Sequence, residues 1–141
     1  MIEIINQTRF KIDKSDYTRL VSELLTYFQL PDKYIVEVLF VNLKDIKSLN
    51  QSYRGIKSPT DVLSFSSPII PNLIPSQVFG SIVICPTYIT QKFPDFTDFK
   101  PFILHGFLHL MDYDHHNPSS KKQFYSLNKK LAHKFGIEKF Y

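Results

Sequence analysis

Three histidines stand at offsets 0, 4 and 10 in the segment His105-Gly106-Phe107-Leu108-His109-Leu110-Met111-Asp112-Tyr113-Asp114-His115. Residues four apart share one face of a helix, so the rings of His105 and His109 project together. That pair alone suits buried, hydrogen-bonded core histidines as well as it suits a metal. His115 decides the matter, because it lies beyond the expected helix end, where a reversing chain brings it back to the same point. Three neutral imidazoles suit Zn²⁺, and a three-histidine set leaves a fourth position open, which marks a catalytic zinc rather than a structural one. The expectation is one Zn²⁺ ion, held by His105, His109 and His115 at about 2.0–2.1 Å. His116 is excluded, since adjacent residues seldom aim at one point, and His133 falls on the C-terminal helix.

The same offsets occur in the metzincin protease signature His-Glu-x-x-His-x-x-Gly-x-x-His. Two positions differ. Gly106 replaces the glutamate that deprotonates the attacking water in peptide hydrolysis, and a glycine cannot serve as that base. Asp112 replaces the turn-forming glycine. Aspartate tolerates a left-handed backbone better than most residues, so Asp112 is expected at the helix C′ position, where the chain turns towards His115. Ligand geometry is kept while the protease chemistry loses its base.

A second block runs Leu49-Asn50-Gln51-Ser52-Tyr53-Arg54, then Pro59-Thr60-Asp61-Val62-Leu63-Ser64-Phe65. A helix ending in tyrosine and arginine leads through a turn into a short strand. Arg54 is expected in a loop position that can face a cleft. Its planar guanidinium matches phosphate bidentately, so it can hold an RNA phosphate or stabilise its transition state. A surface or structural arginine is the alternative.

The elements that must position these groups follow from periodicity. Ile2 to Ile5 reads as a strand. Asp13 to Phe28 reads as a helix, with Tyr17, Leu20, Val21, Leu24, Leu25 and Phe28 on one stripe and Asp13 or Ser15 as cap. Tyr34 to Val41 is a buried strand. Asn42 caps a second helix with inner face Ile46, Leu49 and Tyr53. Val62 to Phe65 is a short strand, the proline-rich 66–77 stretch is irregular, and Gly80 to Cys85 is a central strand. A short helix follows Pro86, Pro101 opens a helix apolar almost all round, and the last helix runs from Ser119 to Phe135. This order predicts an α/β (α+β) fold: a mixed sheet of about four strands with about five helices, in one domain over residues 1–141.

Composition agrees. The chain has 141 residues, 43% hydrophobic and 21% charged, which excludes a disordered polymer. The single cysteine, Cys85, excludes an internal disulfide framework and a cysteine-based zinc finger. No stretch is long enough for a membrane span, and Met-Ile-Glu-Ile-Ile-Asn lacks the features of a signal peptide, so a cytoplasmic protein without membrane contact is expected. Net charge is +4, yet residues 116–141 hold six lysines and one glutamate, a net of +5, so the rest of the chain nets −1. Such a basic face can attract RNA; a solvated helix face is the plainer explanation.

Taken together, the blocks resemble the YbeY family of bacterial rRNA maturation factors. That family's His-Gly-x-Leu-His-Leu-x-Gly-Tyr-Asp-His segment is matched from His105 to His115, with Asp112 for Gly. Its Pro-Thr-Asp-Val-Leu-Ser-Phe and Leu-Asn-x-x-Tyr-Arg blocks stand intact. The strand Gly80-Ser81-Ile82 is similar to its Gly-Asp-Ile, with Ser81 for Asp, and Ile56-Lys57 replaces its Lys-Asp pair. The resemblance covers about residues 34 to 116. It implies an α/β fold, zinc on His105, His109 and His115, and Arg54 as an active-site residue. The implied activity is a single-strand-specific endoribonuclease in 16S rRNA 3′-end maturation and ribosome quality control, with rRNA and the small ribosomal subunit as partners. Two other readings are a non-catalytic, zinc-containing ribosome-assembly factor and a metalloprotease, the latter disfavoured by Gly106.

Overall fold

The computed structural model describes residues 1–66, 78–96, 98–138 and 141. In chain order the elements are β1 (Ile2–Asn6), α1 (Lys14–Tyr27), β2 (Ile35–Phe40), α2 (Leu43–Arg54), β3 (Val62–Phe65), β4 (Val78–Ile84), α3 (Pro86–Lys92), α4 (Lys100–Leu110) and α5 (Pro118–Lys134). The four strands form one mixed sheet in the order β1-β2-β4-β3. β1, β2 and β4 run parallel, and β3 pairs antiparallel with β4 at one edge. This is the mixed α/β arrangement the element order predicts. β4 starts at Val78, two residues before the expected Gly80, and all but the first residue of the expected 66–77 loop lie outside the described residues.

The sheet is covered on both faces, which is why β2 and β4 read as apolar runs rather than alternations. On one face Val36, Val38, Phe40, Ile82 and Ile84 pack with Leu20 and Leu24 of α1 and Phe102 and Phe107 of α4. On the other, Leu39, Val41, Leu63 and Val83 meet Ile46 of α2. Side-chain caps start three helices: Asp13 accepts from Asp16 N–H, Asn42 from Asp45 N–H, and Asn117 forms a reciprocal capping box with Ser120.

Two placements depart from a simple periodic reading. Tyr53, expected on the inner face of α2, is 58% exposed: it sits in the last turn of the helix with its ring edge-on to Phe65 at the end of β3. Glu37 is fully buried in the middle of β2. It lies opposite Ser81 in register, whose Oγ donates to Glu37 Oε2 at 2.5 Å, while Oε1 has no partner among the described residues. Burial pushes the Glu37 carboxyl above its ordinary range.

Candidate metal centre

Helix α4 carries the site because nearly every other side chain on it is committed to the core. Phe102, Ile103, Leu104, Phe107 and Leu108 are at most 1% exposed, which leaves His105 and His109 on the one half-open strip. Gly106 faces the sheet. A Cβ there would lie 2.8 Å from Ile82 Cγ2 and 2.9 Å from Ser64 Oγ. The missing side chain therefore lets the helix approach β3 and β4, and a carboxylate at 106 would point into the sheet. This reinforces the argument against peptide hydrolysis.

The helix stops in a Schellman turn: Asp112 N–H donates to the His109 carbonyl at 3.1 Å, and Tyr113 N–H to the Leu108 carbonyl at 3.0 Å. Asp112 sits in the left-handed region at φ 64°, the C′ role expected for it. The reversal returns His115 to the helix face. One ligand nitrogen from each of His105, His109 and His115 lies within 4.8 Å of the others. Ring centroids are 4.8 Å apart for His105 and His109, 5.1 Å for His109 and His115, and 5.6 Å for His105 and His115. The Nε2 atoms of His105 and His109 are 3.1 Å apart. Two nitrogens sharing a tetrahedral Zn²⁺ at about 2.0–2.1 Å would be separated by about 3.3 Å. His116 is exposed at the rim and His133 is exposed on α5; neither joins the cluster.

Chemistry favours ligation as well. Burial, followed by the neighbouring rings of His109 and His115, pushes His105 down to about 3. Burial and His115 lower His109 too, against hydrogen bonding to the Tyr113 backbone. Both shifts favour the neutral imidazole that metal ligation requires. Phe124 of α5, fully buried, touches all three rings at centroid distances of 4.9, 5.0 and 5.2 Å. Tyr141 lies on His105 at 4.7 Å. Nδ1 of His105 is buried without a partner among the described residues, and the ring packs between Phe124 and Tyr141. The donor set fits a divalent ion.

The histidines open into a cleft of about 750 Å³ floored by β3. Arg54 lines it as the last residue of α2 rather than a loop residue, followed by Gly55 at φ 69°. Asn50 of the same motif is structural: it is buried, and its Nδ2 donates to the Ser58 carbonyl at 2.9 Å, tying α2 to the turn before Pro59. Ile56 and Lys57 are exposed, and Ser81 faces Glu37 rather than the cleft.

Several cleft residues carry roles that the sequence alone did not assign. Asp61 is 8% exposed, and its Oδ1 accepts from Val62 N–H at 2.6 Å and from the Thr60 hydroxyl at 3.2 Å. Burial raises its carboxyl, opposed by those hydrogen bonds and by Lys92. Ser64 Oγ donates to the Gly106 carbonyl at 2.9 Å. Asp61 and Ser64 were visible as members of the Pro59–Phe65 block, but Phe124 and Tyr141 carried no signal because only tertiary packing brings them to the histidines.

The family model described as Endoribonuclease YbeY matches residues 3–136. A protein of Aliarcobacter butzleri named Endoribonuclease YbeY is 34% identical over 120 residues, covering 82% of this chain and 79% of that protein. One of the same name from Staphylococcus saprophyticus is 33% identical over 150 residues, covering 91% and 97%. The solution structure of TM1509 from Thermotoga maritima superposes with a TM-score of 0.58 at 28% identity, covering 96% of this chain and 89% of that one. A match that spans the sheet, the Arg54 block and the histidine turn alike makes this chain a member of the Endoribonuclease YbeY family.

Proposed function

We propose that this chain is a zinc-dependent endoribonuclease that cuts single-stranded RNA, and that its substrate is ribosomal RNA, processed at the 16S 3′ end in contact with the small ribosomal subunit and in ribosome quality control. The observation that carries the reading is the convergence of three histidines, two of them held neutral, in a cleft that Arg54 also lines. Family membership supports an RNA phosphodiester as the bond broken.

His105, His109 and His115 would hold the ion, which when bound supplies Lewis-acid polarisation of a phosphoryl oxygen. The chain's own groups do the rest. Arg54 offers two parallel N–H donors to the non-bridging oxygens and opposes the charge that builds there during displacement. Phe124 and Tyr141 exclude water behind the His105 ring. The lysines of α5 raise the local concentration of a polyanion, with a dependence on salt.

The test incubates zinc-loaded protein with unstructured RNA and, separately, with casein, beside a His109→Ala control. RNA cut by the wild type alone, with casein intact, is the expected result. RNA left intact, or cut equally by the control, sinks the nuclease reading and favours an assembly factor without turnover.

A further inference from the structure

Large apolar side chains left in solvent are few here: among the described residues, Met1, Tyr53, Ile56 and Tyr125. Two of the four, Tyr53 and Tyr125, line the metal cleft. Tyr53 is 58% exposed although it continues the apolar stripe of α2, and its ring rests edge-on against Phe65 at 4.8 Å. Tyr125 is 41% exposed, and its ring stacks on His115 at 6.1 Å with 27° between the planes. Each ring is braced on one side and wet on the other.

Cations flank both. Arg54 follows Tyr53 at the end of α2. On α5, Lys121, Lys122 and Lys129 lie four before, three before and four after Tyr125, so they share its exposed face. Flat aromatic faces alternating with cations suit a single-stranded nucleic acid, whose bases stack while its phosphates meet the charges. A peptide would use the aromatic rings but not the lysine row.

We infer that Tyr53 and Tyr125 are base-stacking platforms that hold the unpaired nucleotides on either side of the reacting phosphate. This rests on the ribonuclease reading and adds to it the residues that select against duplex. Tyr125 takes the base nearest the His115 side, and Tyr53 takes the one on the Arg54 side. A base inside a duplex has both faces covered by its neighbours and so offers none to a tyrosine ring.

The experiment measures binding by fluorescence anisotropy, in EDTA, of a labelled single-stranded RNA and of an abasic ribose-phosphate strand of the same length and charge. The wild type should bind the intact RNA about 100-fold more tightly than the abasic strand, about tenfold for each platform. Tyr53→Ala and Tyr125→Ala should each weaken intact RNA about tenfold, leaving both the abasic strand and the salt dependence unchanged. Tyr53→Phe and Tyr125→Phe should bind as the wild type. Equal affinity for the two strands, or variants that weaken both alike, would overturn the platforms while leaving the ribonuclease reading in place. If the wild type binds neither strand, the platforms fail, while the ribonuclease reading stands or falls on the cleavage assay with zinc-loaded protein.

Discussion

Ser64 and Gly106 lock the edge strand to the histidine helix: the serine hydroxyl donates to the glycine carbonyl at 2.9 Å, and the space a Cβ would need at 106 is filled by the same Oγ and by Ile82. Alanine at 106 gains about 1 kcal/mol of helix propensity but forces the helix off the sheet, at about 1–3 kcal/mol of overpacking. Gly106→Ala should therefore destabilise by up to about 2 kcal/mol in urea unfolding. It should also weaken zinc binding, because His105 and His109 ride on the displaced helix.

Asp112 occupies a left-handed position that glycine holds at lower cost. Its side chain is exposed, so little packing is lost on removal. Asp112→Gly should stabilise the protein by about 0.5–1 kcal/mol and Asp112→Ala should destabilise it by a similar amount. Thermal melts of the two variants should move in opposite directions.

Ligand identity can be read from stability. An ion that binds only the folded chain adds about 2.7 kcal/mol at a hundredfold excess over its Kd. Zinc should therefore raise the melting temperature of the wild type by several degrees. The shift should vanish in His105→Ala, His109→Ala and His115→Ala and survive in His116→Ala and His133→Ala. Scanning calorimetry with elemental analysis checks this.

Arg54 is exposed at the end of α2, so the proposed contact with phosphate can be separated from the fold by mutation. Arg54→Ala should lower RNA turnover on the order of 10²–10³-fold with metal content and melting temperature unchanged. Arg54→Lys should recover little, because a point charge does not reproduce the planar fork. An equal loss of stability and turnover would show the arginine to be structural.

Glu37 sets a pH dependence. Its folded pKa is raised by burial above the ordinary 4.5, so the neutral form is the one the folded state favours. That contribution is fully present below the unfolded value and is lost as pH rises through the folded value. Glu37→Gln, which cannot ionise, escapes the loss. Relative to wild type, its unfolding free energy should grow from about pH 4 upward and level off above the folded pKa. A difference that does not change with pH would rule this out.

The element order was legible because each element obeys its own local rule: the Tyr17-Leu20-Val21-Leu24 stripe of α1, the caps Asp13 and Asn42, and the apolar runs of β2 and β4. The histidine offsets were legible for the same reason, since a helix and one turn place all three. Periodicity misplaced Tyr53 because it assumes that a helix faces the core along its whole length, whereas the last turn of α2 is exposed. Glu37 was passed over inside an apolar run, although only the register with Ser81 explains how it is accommodated. That Phe124 braces the three imidazoles depends on how α5 packs on α4, which no local pattern reports.

The strand that floors the cleft is also the last strand of the sheet among the described residues. Cys85 N–H donates to the Asp61 carbonyl, so by strand alternation the N–H groups of Val62 and Ser64 point away from β4. Unpaired donors along a sheet edge invite the strand of a second molecule and start aggregation. Here the strand has only four residues, and the Asp61 carboxylate already occupies the Val62 N–H. That carboxylate thus blocks one of the two outward donors against an incoming strand, which favours colloidal solubility.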